Sequence, residues 1–218
     1  MKNKTIIHTV IGVVFTFVFL YLVYGLINNN QLKALQEITK IKSSDYLKWS
    51  TEKKNVLIEY SDFQCPACKA YHDLIKKEIE VPSTSSGQIN ITKKVTLIFR
   101  HFPLYQIHPN AFESAYAAEA AGHQGKFYQM VDLLFAKQDQ WTKAQNSQSA
   151  FIQLAQELKL DVKKFTQDLS STEVKAKVDQ DLKSGEDAGI NSTPTFFLDG
   201  QKLELTSFDQ LKKLLSSL

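Results

Sequence analysis

The hydrophobic pattern of the chain changes abruptly between residues 55 and 79, and this change constrains the fold more than any other feature. The run "NVLIEY" (55–60) is short, apolar and rich in β-branched and aromatic residues, which predicts a buried strand. From Tyr71 to Ile79 the apolar residues recur at helical spacing instead. A strand therefore leads directly into a helix, and the motif "CPAC" (65–68) lies at the junction. Pro66 suits the first helical turn, where its missing N–H costs nothing.

The chain has two cysteines, Cys65 and Cys68, and their spacing limits what they can do. Haem attachment would need histidine at position 69, which is Lys69. A zinc site as a rule needs four ligands, and Cys65, Cys68 and His72 supply three, with no second cysteine pair to complete the set. A purely structural disulfide would close too small a loop to stabilise the fold much. A disulfide that opens and closes accounts for the spacing best, with zinc and a structural bridge as the alternatives.

The redox interpretation gives the two thiols different roles. The thiolate is the nucleophile, whereas a free cysteine, with a pKa of about 8.5, is mostly protonated at neutral pH. The partial positive charge and free N–H groups of a helix N-terminus favour the anion, and Cys65 is placed to receive them. Cys68, one turn further in, should be less exposed. We therefore expect Cys65 to form the mixed disulfide with a substrate and Cys68 to resolve it.

The rest of the chain predicts an α/β order of elements. A polar loop over 83–90 precedes a second buried strand, "VTLIF" (95–99), and a long block of amphipathic helices follows. The chain then returns to strands in "TPTFFLD" (193–199) and "KLEL" (202–205), which flank a hairpin signal at Gly200-Gln201. A helix closes the chain.

The first 27 residues differ from the rest in composition. Residues 6–27 contain no Asp, Glu, Lys or Arg, and a helix of that length spans roughly 33 Å, enough for a bilayer core of about 30 Å. Lys2 and Lys4 predict a cytoplasmic N-terminus, which places residues 28–218 outside the cytoplasm of a single-pass membrane protein. A cleaved signal peptide is the alternative, although the apolar run is longer than usual and no small-residue cleavage site follows it.

Composition and charge exclude some partners and set the domain boundaries. The net charge is only +3, with 26 basic and 23 acidic residues spread along the chain, so we expect no nucleic-acid partner. The predicted organisation is a cytoplasmic tip and anchor over 1–27, a polar stalk over 28–48, and one domain over 49–218. Because disulfides persist outside the cytoplasm, this placement favours the redox use of the cysteines.

The segment "VLIEYSDFQCPACKAYH" resembles the active-site strand and helix of the thioredoxin superfamily, and most of all its DsbA-like branch of extracytoplasmic thiol–disulfide oxidoreductases. "FRHFPL" (99–104), "QGKFYQMVDLLFAKQ" (124–138) and "GINSTPTFFLDG" (189–200) resemble further blocks of that family in the same order. The resemblance covers about residues 49–218. It implies a thioredoxin-like fold with an all-helical insertion at about 105–187.

The resemblance also implies an activity and its partners. The chain would exchange its Cys65–Cys68 disulfide with cysteines of exported proteins, most simply as an oxidant, and a membrane redox partner linked to quinone would reoxidise it. The cysteine pair is itself the redox group, so neither a soluble cofactor nor a metal is expected. The rivals are a disulfide reductase or isomerase of the same fold and, from a different class, a non-catalytic metal-binding or client-binding domain.

Roles carry over from the family residue by residue. Cys65 matches the attacking cysteine and Cys68 the resolving one. Pro194 matches the cis-proline beside the disulfide, and Thr193 before it would offer backbone groups to an extended substrate; a trans proline that opens a strand is the alternative. Glu59 matches the acidic residue buried beneath the active site, where burial should raise its pKa and let it exchange a proton with Cys68. The alternative is a solvent-facing Glu on an edge strand.

The two residues between the cysteines, Pro66 and Ala67, would contact the substrate and contain one departure from the family pattern. The best-known strong oxidants of the family carry a histidine at the second of these positions. Ala67 cannot donate a hydrogen bond or a positive charge to the Cys65 thiolate from its side chain. On the sequence alone, a milder oxidant and a reductant both remain open.

Overall fold

The computed structural model describes residues 2–80 and 91–218, without the side chains of residues 2–7, 9–12, 28, 30–32 and 34. The polar loop predicted over 83–90 therefore lies outside the described residues. The helices are α1 Lys2–Ile38, α2 Pro66–Ile75, α3 Ile91–Lys94, α4 Ala111–Gly122, α5 Phe127–Ala136, α6 Gln138–Trp141, α7 Ser147–Glu157, α8 Val162–Asp168, α9 Thr172–Asp187 and α10 Phe208–Ser216. A short π-helix, Lys76–Glu80, extends α2. The strands are β1 Leu47–Trp49, β2 Asn55–Ser61, β3 Val95–His101, β4 Thr195–Leu198 and β5 Gln201–Lys202.

The strands form one five-stranded sheet in the order β1-β3-β2-β4-β5. β2 and β3 are parallel, and the other neighbouring strands are antiparallel. The two central strands, expected at 55–60 and 95–99, are present. The helical insertion predicted at about 105–187 corresponds to α4–α9, which lie between β3 and β4 in the chain. The order confirms the thioredoxin-like α/β fold.

The sheet has apolar side chains on both of its faces, as expected for central strands that helices cover on both sides. On one face, Leu57 of β2 packs with Ile75 of α2 and Leu211 of α10. On the other face, Ile58 of β2 packs in a cluster with Ile38 of α1. A third cluster fills the helical insertion and includes both cysteines, so the insertion packs directly against the CPAC motif.

The segment predicted as a polar stalk over 28–48 differs from the structure in its second half. Ile38 is 1% exposed and belongs to the core, and Leu47 and Lys48 form part of the edge strand β1, which pairs antiparallel with β3. The cause lies in Arg100 of β3, which is fully buried and donates hydrogen bonds to this segment. Its guanidinium donates to both carboxylate oxygens of Asp45, at 3.2 and 2.7 Å, and to the carbonyl oxygens at the end of α1.

The first helix, α1, continues without a break from Lys2 to Ile38. Within the part of the chain that the structure describes, no helix combines the length and the apolar character that crossing a bilayer requires. The side chains of part of the predicted anchor, 6–27, lie outside the described residues. Between Val13 and Ile27, twelve large apolar side chains are exposed to between 49% and 76%.

The hairpin at the end of the sheet is one residue earlier than predicted. Leu198 pairs with Gln201, so the two turn residues are Asp199 and Gly200 rather than Gly200 and Gln201. Both turn residues have positive φ, +47° and +88°, as a tight turn matched to the twist of two strands requires. The strand that follows is correspondingly short, Gln201–Lys202, rather than the predicted 202–205.

Candidate active site

Cys65 and Cys68 lie at the start of α2, as the sequence predicts. Cys65 is the residue before the helix, with φ −73° and ψ 122°, and Pro66 is the first helical residue. This backbone follows from the sequence, because the residue before a proline is restricted to extended conformations. Both thiols are free, and Cys68 is fully buried. Cys65 is only 7% exposed, so it is less open than we expected, whereas Pro66 and Ala67 beside it are exposed.

The loop before β4 covers Cys65 and explains its low exposure. The Thr193–Pro194 peptide bond is cis, as expected from the family pattern. The Cys65 thiol donates a hydrogen bond to the Thr193 carbonyl oxygen, with a sulfur-to-oxygen distance of 3.6 Å. Thr193 and Pro194, 128 or more residues away in sequence, are thus brought beside the Cys65 thiol.

The two thiols have opposite pKa shifts. A hydrogen bond from the Cys68 thiol lowers the pKa of Cys65 to about 5, against the opposing effect of burial, and the Thr193 side chain and the backbone N–H groups of Cys68 and Ala67 add to the lowering. Burial raises the pKa of Cys68 well above that of an ordinary thiol. Cys65 therefore has the properties of a nucleophile at neutral pH, and Cys68 those of a protonated hydrogen-bond donor. Ala67 contributes through its backbone N–H, which any residue type except proline would supply at this position.

A buried carboxylate, Asp62, organises the loop that leads into Cys65. Its Oδ1 accepts from the Gln64 N–H at 2.7 Å, and its Oδ2 lies 2.8 Å from both the Leu104 N–H and His108 Nδ1. Its own backbone N–H points to the Cys68 sulfur at 3.5 Å. The carboxylate thus joins the CPAC loop to the chain that follows β3.

The helical insertion also bonds this loop directly. Gln138, the first residue of α6, is 5% exposed, and its side-chain Nε2 donates to the carbonyl oxygens of Phe63 at 2.7 Å and Cys65 at 3.1 Å. The Phe63 ring stacks on Phe99 of β3, with centroids 4.9 Å apart, and contacts Phe135 of α5. Backbone and side-chain contacts therefore both fix the position of the residues before Cys65.

Glu59 lies on the face of β2 that packs against α2. Residues two apart in a strand point to the same face, and Leu57, two residues before Glu59, packs with α2. It is 4% exposed, and burial raises the pKa of its carboxyl group. Its Oε1 is buried without a hydrogen-bond partner among the described residues. The side chain of Ser61, two residues along on the same face, lowers the pKa of Cys68.

A charged cluster lies between Glu59 and the protein surface. His72, one turn after Cys68 in α2, contacts Asp132 of α5, with 3.2 Å between Nε2 and Oδ1. Lys76 donates to the same carboxylate at 2.7 Å, and Lys48 of β1 lies 3.8 Å from it. Burial acts to raise the pKa of Asp132, but the bonds from His72 and Lys76 outweigh it and lower that pKa to about 2.

His72 therefore has a carboxylate partner in α5. Among the described residues, no group of three or more His, Cys, Asp or Glu side chains has an arrangement that could hold a metal ion. The sequence analysis proposed Cys65, Cys68 and His72 as the three available ligands; the structure turns the His72 ring onto Phe135, with centroids 4.7 Å apart.

The sequence analysis missed Asp62, Gln138 and His108 as neighbours of the cysteines. Asp62 and Gln138 are polar residues that follow apolar runs, and nothing in their local pattern indicates contacts with residues 42 to 75 positions away. His108 anchors its loop through the carboxylate next to the CPAC motif. The one available signal concerned Asp62, which is a polar residue between a buried strand and the CPAC motif.

The fold and this site agree with what comparison with known proteins shows. A family model described as Thioredoxin matches residues 50–217, which is most of the chain. The chain belongs to this thioredoxin family.

Curated relatives contain a similar segment within much longer proteins. The Na(+)/H(+) antiporter NhaA 3 of Salinispora tropica is 33% identical over 158 residues, which are 72% of this chain and 22% of that protein. The Na(+)/H(+) antiporter NhaA of Herminiimonas arsenicoxydans is 31% identical over 159 residues, 73% of this chain and 23% of that protein. The chain thus spans less than a quarter of the length of these relatives, and the similarity concerns the thioredoxin-like segment.

Solved structures with this fold include DsbA-like proteins. Wolbachia pipientis α-DsbA1 superposes with a TM-score of 0.67 and 20% identity, covering 84% of this chain and 94% of that one. BdbD of Bacillus subtilis gives a TM-score of 0.64 and 16% identity, covering 79% and 91%. The catalytic domain of Proteus mirabilis ScsC gives 0.65 and 16%, covering 86% and 96%. At these identities the likeness establishes the fold, here the DsbA-like form of the thioredoxin fold.

Proposed function

We propose that this protein is a thiol–disulfide oxidoreductase that exchanges its Cys65–Cys68 disulfide with cysteines of exported proteins, acting as an oxidant. The observation that carries the proposal is the arrangement at the start of α2: Cys65 precedes the helix beside the Thr193 carbonyl, and Cys68, one turn further in, is fully buried. The lowered pKa of Cys65, about 5, and the raised pKa of Cys68 agree with it. Membership of the thioredoxin family and the position of the cis Thr193–Pro194 bond beside Cys65 support it.

The reaction that follows from this site has two exchange steps. A substrate thiolate attacks the Cys65 sulfur of the enzyme disulfide, forms a mixed disulfide and expels the Cys68 thiolate, which takes up a proton. A second substrate thiolate then attacks the substrate sulfur of the mixed disulfide and releases Cys65 as a thiolate. The substrate loses two electrons and the enzyme gains them. Because Cys65 is the more stabilised thiolate, it is the better leaving group in the second step.

Glu59 is the group we assign to the proton that Cys68 gains or loses. Its burial raises the carboxyl pKa, which brings it closer to neutral pH, and its Oε1 has no competing partner in the described structure. The Ser61 side chain of β2 lowers the pKa of both Glu59 and Cys68, and His72, which pairs with Asp132, acts on Glu59 as well. We propose that the proton leaves the otherwise apolar site along these side chains.

The direction of net electron flow follows from thiolate stabilisation. Stabilising the reduced form of the pair makes the disulfide a stronger oxidant. With the Cys65 pKa at about 5, we expect a reduction potential above that of thioredoxin, which is about −270 mV, and nearer to about −180 mV. Backbone N–H groups and the Cys68 thiol supply the stabilisation that a histidine at position 67 would otherwise give.

Equilibration with defined glutathione buffers tests this direction. The oxidised and reduced fractions of Cys65–Cys68 are measured by alkylation and mass spectrometry across the buffer series. A potential at or above about −200 mV supports the oxidant, and a potential near the thioredoxin value of about −270 mV favours the reductase or isomerase alternative.

The Cys68→Ala variant tests the exchange with proteins itself. Without its resolving thiol, this variant should accumulate mixed disulfides through Cys65 with exported proteins, visible as reducible high-mass species. The double variant Cys65→Ala, Cys68→Ala is the control and should form none. If the single variant also forms none, and the reduced parent binds zinc that Cys65→Ala loses, the metal-binding alternative replaces the enzyme.

The proposal includes a membrane anchor and a membrane partner. We infer that residues 6–27 hold the protein in the cell membrane, with the N-terminus in the cytoplasm and the catalytic domain outside, because the run lacks charged side chains and twelve of its described side chains are large, apolar and exposed. A reduced enzyme must be reoxidised before its next turnover, and a quinone-linked membrane protein is the partner we propose. Loss of the oxidised form in membranes depleted of quinone would support that partner; unchanged oxidation would contradict it.

A further inference from the structure

We propose that Gln138 is a positioning residue for the reactive thiol: its side-chain amide fixes the carbonyl groups on either side of Gln64 and thereby sets the direction in which the Cys65 sulfur points. The inference rests on the proposed function only in taking Cys65 as the reacting thiol. It assigns to the helical insertion a role in positioning the reactive thiol.

The contacts of Gln138 are specific to the active-site loop. Nε2 donates to the Phe63 carbonyl oxygen at 2.7 Å and to the Cys65 carbonyl oxygen at 3.1 Å. The Cys65 carbonyl also accepts the first backbone bond of α2, from the Lys69 N–H at 3.2 Å. Gln138 is 5% exposed, so water does not compete freely for these bonds. One amide group thus holds two main-chain carbonyls of the residues that lead into the helix.

The Cys65 carbonyl controls the sulfur through one torsion. The direction of the Cys65 carbonyl defines the ψ angle of Cys65, which is 122°. The φ angle of the following residue, Pro66, is fixed by the proline ring. That torsion decides how the Cys65 side chain is aimed relative to the N–H groups of Ala67 and Cys68, which lower the pKa of Cys65. If the carbonyl is released, the sulfur loses its alignment with those donors, because a hydrogen bond weakens steeply as its angle departs from linearity.

The two donated bonds also have an electrostatic effect. A carbonyl oxygen carries partial negative charge, and an N–H group that donates to it offsets this charge close to the thiolate. Replacing the Gln138 amide by a carboxylate of the same shape reverses the effect, since a carboxylate only accepts hydrogen bonds. A purely packing role for Gln138 predicts no such dependence on the chemistry of the group, and this difference separates the two interpretations.

The test compares Gln138→Glu and Gln138→Met with the same changes at Gln140. Gln140 lies two residues further along the same short helix and is exposed, so Gln140→Glu adds an equal charge and Gln140→Met an equal thioether without touching the loop. The measured quantity is the midpoint of the thiolate absorbance at 240 nm as the reduced full chain is titrated with acid, with the oxidised form of each variant as the blank.

We expect both Gln138 variants to raise that midpoint by about one pH unit or more, with Gln138→Glu above Gln138→Met, and both Gln140 variants to stay within about 0.3 units of the parent. Folded Gln138 variants with the parent midpoint would overturn the inference. Near-UV circular dichroism reports folding, and if both variants lose the native signal, Gln138 is a residue needed for folding and the positioning role is withdrawn. A parent midpoint near that of an ordinary thiol would instead contradict the proposed function, so the two failures are distinguishable.

Discussion

At the scale of single residues, Glu59 is a carboxyl group buried on an apolar strand with one oxygen unpartnered in the described structure. Burying an ionised carboxylate without full hydrogen bonding costs free energy, which is why its pKa is raised. An acid whose pKa is higher in the folded state destabilises that state at any pH above its unfolded pKa, near 4.5, and this penalty disappears at lower pH. Glu59 therefore lowers the free energy of unfolding at the pH where the protein works. Its proposed proton transfer to Cys68 gives a functional reason for this loss of stability.

Glu59→Gln should make the protein more stable and its exchange chemistry slower. We expect the free energy of unfolding at pH 7 to rise by about 1–2 kcal/mol, and this gain to vanish at pH 3.5, where the carboxyl is protonated in both states. Urea unfolding of the oxidised protein at the two pH values measures the effect. Glu204→Gln, on a side chain that is 82% exposed, is the matched control and should change neither value by more than about 0.5 kcal/mol. A loss of stability at pH 7 in Glu59→Gln would contradict the account of Glu59.

At the scale of secondary-structure elements, the segment between α1 and β1 is held by a buried ion pair. The side chains of Arg100 and Asp45 are both fully buried, and two hydrogen bonds join them. Arg100 also donates to the Ile38 carbonyl, the last of α1, and to the Lys40 carbonyl two residues beyond it, at 2.7 Å. A single strand residue thus attaches the long first helix to the sheet.

Removing the guanidinium should be costly because it leaves the Asp45 carboxylate buried without its partner. We expect Arg100→Leu to lower the free energy of unfolding by about 3–5 kcal/mol and to open the chain after Lys40 and Lys42 to trypsin. Denaturant unfolding and limited proteolysis measure the two effects. Lys183→Leu removes a pair with Asp187 whose side chains are 73% and 52% exposed, and should change stability by less than about 1 kcal/mol. Equal stabilities of the two variants would show that Arg100 does not hold this segment.

The elements also show why sequence patterns predicted some features and missed others. The strands β2 and β3 and the start of α2 at Pro66 follow from local periodicity, which a single sequence carries. The stalk prediction failed because residues 28–48 are polar in composition, whereas their position depends on Arg100, more than 50 residues away. An arginine inside the apolar run of β3 was the signal, since a buried guanidinium requires partners.

The same reasoning applies to the site. Cys65, Cys68, Glu59 and the Thr193-Pro194 pair were predictable because motif and family resemblance fix their types and order. Gln138 and Asp62 were not, because their role depends on which carbonyl or N–H group they reach, and only the packed insertion determines that. The depth of Cys65 depends likewise on the loop at Thr193 and not on the motif around it.

At the scale of the whole molecule, α1 runs unbroken into the catalytic domain, and its last residue is part of the core. If residues 6–27 lie in a membrane, the domain is attached to it through a helix that Arg100 anchors rather than through a loose stalk.

Membrane attachment can be tested on fractionated cells. We expect the full chain to stay in the membrane pellet through an alkaline carbonate wash, and a chain lacking residues 2–27 to be released. Protease added outside spheroplasts should digest the catalytic domain of the full chain. Recovery of the full chain in the supernatant of the carbonate wash would contradict the proposed membrane anchor.

The pH dependence of Cys65 alkylation in the reduced, full-length protein tests the central claim most directly. The rate constant with iodoacetamide is measured from pH 3 to pH 10, and the modified cysteine is identified by mass spectrometry. A pKa of about 5 predicts that Cys65 reacts at nearly its full rate at pH 7 and loses reactivity only as the pH falls through about 5, while buried Cys68 stays unmodified. A Cys65 rate that instead rises through pH 8–9, as for an ordinary thiol, would contradict the account.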